Sequence, residues 1–260
     1  MREIKITRRA HDEIKRLFNP RTLINTLHSD PEVTEIIDNF AFDETIVMTE
    51  SAVLEKTRVM CILASTIGCN AIKEFKQYVD ACLNVGVKPR EIREIVYQAF
   101  PYVGISTVVY FTLQMNDVFE NNGIRLPLDD QNTVEDGKYY ETGKKLIDET
   151  FGEGTVDNML ATMPKGQEHI IDFLCSYCYG KFYSRNGIDM QHRELITFCF
   201  LASMGGCDSQ MLTHAKGCKR WKISKDEMVA VATAILPWIG FPRTFSAISA
   251  INEAYNENLM

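Results

Sequence analysis

Residues 223–240 read ISKDEMVAVATAILPWIG, and residues 87–104 read VKPREIREIVYQAFPYVG. In the second stretch Ile92, Ile95, Val96 and Ala99 stand at i, i+3, i+4 and i+7, one face of a helix. In the first, Met228, Val231, Ala232 and Ile235 repeat that spacing 136 residues later. Each stretch opens with a helix-start signal. Lys88-Pro89 puts proline in the first turn, and Ser224 with Glu227 has the capping-box spacing. Each closes on Pro-aromatic-x-Gly, as Pro101-Tyr102-Val103-Gly104 and Pro237-Trp238-Ile239-Gly240. Two helices with the same face, the same start and the same stop indicate a repeated helical unit.

The repeat extends upstream. KTRVMCILAST (56–66) answers HRELITFCFLAS (192–203), with Arg58 opposite Arg193, and both runs then reach Gly-Cys, at Gly68-Cys69 and Gly206-Cys207. A period this long is not that of a solenoid. It predicts two copies of one helical domain, at 1–125 and 135–260, joined through the polar stretch NNGIRLPLDDQNTVEDG (121–137). Strand-type alternation is nearly absent, so the expected fold class is all-α: two tandem helical domains related by internal duplication.

Composition narrows the function classes. A chain of 260 residues with 45% hydrophobic residues can bury a sizeable core. The start, MREIKITRRAHDEIKRLF, is charged throughout, unlike a signal peptide, and no apolar run reaches the roughly 18 residues of a membrane span. The expectation is a cytoplasmic protein with no membrane partner. The net charge of −7 and the lack of a basic stripe argue against nucleic acid. The eight cysteines, several inside apolar helical runs, read as reduced thiols, most of them acting as small hydrophobes.

The repeated unit resembles the carboxymuconolactone decarboxylase / AhpD-like family. The likeness is carried by NGIDMQHRELITFCFLASMGG, CDSQMLTH, the helix start SKDEM and PWIGFPRT in the second half. The resemblance implies an all-α fold and a homo-oligomer, a trimer or a dimer of two-domain chains. It also implies one of two chemistries. One branch is a thiol peroxidase whose signature is a Glu followed by Cys-x-x-Cys-x-x-x-His. The other is a cofactor-free decarboxylase that keeps the His and lacks the dithiol.

On that frame the second half carries Glu194, Cys207 and His214, with Gln210 where the second cysteine would stand. The expected catalytic residues are therefore His214, Glu194 and Cys207. Arg193, Gln210 and Trp238 are the expected substrate contacts: Arg193 as a bidentate carboxylate holder and Trp238, with Phe241, as pocket wall. A histidine has the unperturbed pKa best suited to acid–base work near neutrality. The first half has Tyr78, Glu74, Ala71 and Val59 at the matching positions, with Cys69 displaced by two residues, which reads as a degenerate site.

Cys175-Ser-Tyr-Cys178 is the one CxxC. It lies upstream of the Arg193-Glu194 helix, and Phe182 stands where the redox signature has histidine. Core thiols, a reversible disulfide and a zinc half-site are all open to it, the first being favoured by its apolar helix face. His11, His28, His169 and His192 have no metal-ligand spacing, so no metal and no cofactor are expected. The leading expectation is lyase-type acid–base chemistry on a small carboxylated or lactone substrate. The alternatives are an AhpD-like thiol antioxidant using Cys207 and a non-catalytic assembly or binding module.

Overall fold

Ser224 opens its helix as the spacing predicts, its hydroxyl accepting the Glu227 N–H at 3.1 Å. At the matching start the Glu91 carboxylate accepts the Lys88 N–H at 2.6 Å, above Pro89. Gly104 (φ 77°, ψ 170°) and Gly240 (φ 78°, ψ 164°) then break the chain in the same left-handed conformation. Only glycine enters that region without a Cβ penalty, which explains why both Pro-aromatic-x-Gly stretches end on it.

The computed structural model describes residues 4–20 and 29–256, and these are all-helical, with no strand among them. The first half runs α1 (Arg8–Leu17), α2 (Pro31–Asn39), a π-helical turn (Phe40–Glu44), α3 (Thr45–Thr49), α4 (Glu55–Gly68), α5 (Ile72–Asn84), α6 (Pro89–Gln98) and α7 (Phe100–Asn121). The second half runs α8 (Tyr139–Phe151), α9 (Thr155–Thr162), α10 (His169–Phe173), a π-helical stretch (Leu174–Tyr183), α11 (Met190–Met204), α12 (Asp208–Arg220), α13 (Lys225–Ile239) and α14 (Phe241–Tyr255). From α4 and α11 onward the second half repeats the element order of the first. The sequence frame did not anticipate the π-helical segments, because a wider helical turn leaves no separate apolar period.

The largest hydrophobic core draws on both halves, from Ala10 to Ala254. At its centre α4 packs against α11. A Cβ at Gly68 would stand 2.6 Å from Ser203 Cβ and 2.8 Å from the Phe200 carbonyl oxygen, so the approach of these helices depends on a hydrogen there. Two further crossings tie the halves together. α13 reaches α3 and α4, and α6 reaches α11 and the Leu174–Tyr183 stretch. Each half thus extends its Pro-aromatic-x-Gly turn toward the other.

The stretch between α7 and α8 is strapped down on both sides. Arg93 donates to the Leu128 carbonyl at 3.0 Å and to that of Asp129. Thr133 Oγ1 donates to the Ser184 carbonyl at 2.7 Å. A smaller core, including Ile147, Val156, Cys175 and Tyr179, lies between α8 and Leu174–Tyr183. There Gly143 and Gly180 let backbone meet backbone: a Cβ on either would overlap the carbonyl of Cys175 or Tyr139. Among the described residues no single helix is long and apolar enough to cross a membrane.

Candidate active site

His214 sits on the inner face of α12, two turns from its start, and is only 7% exposed. Its Nδ1 lies 2.9 Å from Oε2 of Glu194, which projects from α11 and is completely buried. A carboxylate that is ionised only accepts, so the partner it suits is an Nδ1–H, which leaves Nε2 to face other groups. Nε2 makes no hydrogen bond to a described residue, and Oε1 of Glu194 is buried with no partner. The pair has room because residue 217, one turn beyond His214, is glycine. A Cβ there would press on Glu194 Oε2 and stand 3.2 Å from the Phe151 ring.

Aromatic rings hold the imidazole in place. Tyr102 and Phe151 meet it edge-to-face at 5.8 and 5.5 Å between centroids. Tyr102 comes from the first half of the chain, at the end of the 87–104 stretch. Its phenol shares a 2.8 Å hydrogen bond with Tyr183, which in turn lies 2.8 Å from Thr197 Oγ1. Burial pushes both phenols well above their ordinary range, so they remain neutral.

Next to this pair is an open groove of about 470 Å³ lined by Thr150, Phe151, Thr213, Lys216, Lys219 and Arg220. Phe151 belongs both to the groove and to the histidine's packing. Thr213 and Lys216 flank His214 in sequence on α12. Three cations beside a buried acid–base pair make the groove suited to a carboxylated small molecule.

The expected site residues separate into three places. Glu194 and His214 come together as described. Arg193 is committed to the protein interior and offers no face to a substrate. It is 1% exposed, donating to Gln98 Oε1 at 2.7 Å, to Glu94 Oε2 at 3.3 Å and to the Arg185 carbonyl at 2.7 Å. Cys207 and Gln210 stay near the start of α12. Cys207 Sγ donates to the Gly205 carbonyl at 3.5 Å and lines a separate hollow of about 160 Å³ with Arg243. Gln210 is exposed and accepts from Ser209. Trp238 packs on Tyr78 at 5.0 Å and Phe42 at 6.1 Å, in the first half's cavity. Phe241 is exposed and stacks on Phe40.

The sequence reading missed two contributors to the site. It named none of Lys216, Lys219 and Arg220 as a site residue, although 216, 219 and 220 share one helix face. It quoted Tyr102 only as part of a turn. Among the described residues no three His, Cys, Asp or Glu side chains are grouped as metal ligands; His28 lies outside the described residues.

All eight cysteines are free thiols. Burial raises Cys178 well above the usual thiol range and Cys175 to about 11. At neutral pH a thiol with that pKa is thiolate in only about one molecule in ten thousand. Alkylation of Cys175 by iodoacetamide in the native protein is therefore expected to be slow at pH 7 and to accelerate as pH rises toward 11. Rapid labelling at pH 7, mapped by mass spectrometry, would return CSYC to the redox reading.

Comparison with known proteins follows the same lines. Residues 169–253 match the carboxymuconolactone decarboxylase family. Over 124 residues, 48% of this chain, the sequence is 23% identical to the 4-carboxymuconolactone decarboxylase of Acinetobacter baylyi and covers 92% of that protein. A solved structure from Burkholderia xenovorans, described as a gamma-carboxymuconolactone decarboxylase subunit, superposes with a TM-score of 0.54 at 17% identity. It covers 93% of each chain, and at that identity the likeness shows the fold alone. Fold and site define an all-helical protein with a buried histidine–carboxylate pair beside a basic groove. The likeness to the carboxymuconolactone decarboxylase family thus lies at residues 169–253, in the second half of the chain.

Proposed function

We propose that the second half carries a lyase-type acid–base site that acts, without a cofactor, on a small carboxylated lactone. The observation that carries this reading is the buried His214–Glu194 pair at 2.9 Å beside the groove of Lys216, Lys219 and Arg220. The cations hold substrate carboxylates. Breaking the bond to one carboxylate carbon releases carbon dioxide and leaves an electron pair that delocalises onto the lactone carbonyl. The protonated imidazole of His214 then delivers its Nε2 proton to carbon and regains a proton from water. Glu194 keeps the ring oriented and balances the imidazolium. The Acinetobacter relative's activity supports this choice of substrate class.

The direct test is to mix the full chain with 4-carboxymuconolactone and follow lactone loss together with carbon dioxide release. Catalytic turnover is expected. A rate no higher than the spontaneous one, for this and for other carboxylated γ-lactones, would sink the reading.

The same reading has copies of this chain assembling with one another. Ile105, Val109 and Leu113 form an exposed apolar row along α7, and Phe241 and Phe245 lie exposed at the matching positions of α14. Sedimentation velocity is expected to show a dimer or trimer for the native chain and a lighter species for Val109→Glu. A native monomer at micromolar concentration would remove this part.

A further inference from the structure

The first half contains a cavity that the acid–base reading does not use. It has a volume of about 400 Å³, within the range of small-molecule sites. Phe18, Phe42 and Trp238 supply aromatic walls, and Asp38, Glu74 and Gln77 supply polar groups beside Thr34, Thr66 and Cys69. The rings brace one another edge-to-face, Phe18 on Phe42 at 5.5 Å and Phe42 on Trp238 at 6.1 Å. Behind them Tyr78 occupies the position that His214 holds in the other half. It packs on Phe18 at 5.4 Å and Trp238 at 5.0 Å, as His214 packs on Phe151 and Tyr102.

Equivalent architecture here carries the opposite electrostatics. The groove beside His214 holds three cations, whereas no Lys, Arg or His is among the described residues lining this cavity. Its two carboxylates have no ion-pair partner among the described residues. Burial alone moves the Asp38 carboxyl above the usual carboxylate range. Gln77 is an independent sign of a ligand: it is 93% buried by its 7% exposure, it lines the cavity, and it has no hydrogen-bond partner among the described residues. Burial also drives the Tyr78 phenol well above its ordinary range, so Tyr78 does not supply the acid–base group that His214 supplies in the other half.

We propose that this cavity is a second, non-catalytic binding site for a small organic cation: an ammonium group carried on an apolar or aromatic body. The ammonium sits between Asp38 and Glu74 and against the ring faces, where aromatic quadrupoles attract cations. The body fills the space between Phe18, Phe42 and Trp238, and Gln77 bonds to the ligand's polar atom.

Isothermal titration of the full chain with three isosteres tests the proposal: phenethylammonium, 2-phenylethanol and 3-phenylpropionate. Saturable binding of phenethylammonium is expected, at least about tenfold tighter than either of the others. The double variant Asp38→Asn/Glu74→Gln is expected to lose about tenfold or more of that affinity. Its helical circular dichroism and melting temperature should match the native chain, because neither side chain supports a neighbour. His214→Asn is expected to bind the cation unchanged, so failure of the acid–base site and failure of this one are separable. No saturable heat up to about 10 mM would overturn the proposal. Equal or tighter binding of the alcohol or the carboxylate would do so too, as would native affinity in the double variant.

Discussion

Turnover of a carboxylated lactone is expected to fall by about 10²–10⁴-fold when His214 is replaced by alanine, the usual contribution of a positioned acid–base group. Imidazole chemistry suits the transfer of a proton in either direction. The two nearby phenols are held neutral by burial. The loss should appear in kcat with KM little changed, because Lys216, Lys219 and Arg220 remain in the groove. Lys219→Ala should show the reverse, a raised KM with a nearly native kcat. Alanine at 214 also strands the fully buried Glu194 carboxylate, at a cost of about 3–5 kcal/mol. His214→Asn guards against simple unfolding, since its amide can still donate to Glu194 Oε2 but cannot exchange a proton. A folded Asn variant that keeps turnover within about threefold of native would remove His214 from the chemistry.

The second large effect concerns stability. Glu94 is completely buried on α6, and its carboxylate is gripped from the other half of the chain. Arg185 donates from Nε at 3.0 Å and from Nη2 at 3.1 Å, and Arg193 Nη2 lies at 3.3 Å. Glu94→Ala leaves Arg193, 1% exposed, without its counter-charge, and leaves Arg185 only the exposed Asp130 carboxylate at 3.5 Å. Breaking a buried pair from one side typically costs about 3–5 kcal/mol, a large share of a domain's stability. Urea unfolding is expected to show that loss as a lowered midpoint. A loss under about 1 kcal/mol would mean that the ion cluster does not hold the halves together. The matching position on α13 is Ala230, so no equivalent strut exists opposite Arg58.

The helices were legible because their apolar faces follow the 3.6 period and their ends carry Ser, Pro and Gly at cap positions. Gly104 and Gly240 could be paired from sequence because one backbone conformation imposes one residue. His214 and Glu194 could be paired because they lie 20 residues apart on consecutive helices. Arg193 was not legible, since its partners, the Gln98 amide and the Glu94 carboxylate, stand 95 and 99 residues away on α6. Trp238 was expected near His214 because both belong to the same half. Nothing in helix periodicity reveals that the turns change sides, Tyr102 serving His214 and Trp238 serving Tyr78.

That exchange of turns decides how far a single substitution reaches. When two identical chains lend each other a wall, every mutation strikes both sites at once, and neither can drift without the other. Within one covalent chain the loaned walls are separate letters. One is tyrosine and the other tryptophan, and the residue each faces is histidine in one place and tyrosine in the other. A change in one wall therefore leaves the other untouched, while both rest on the same core.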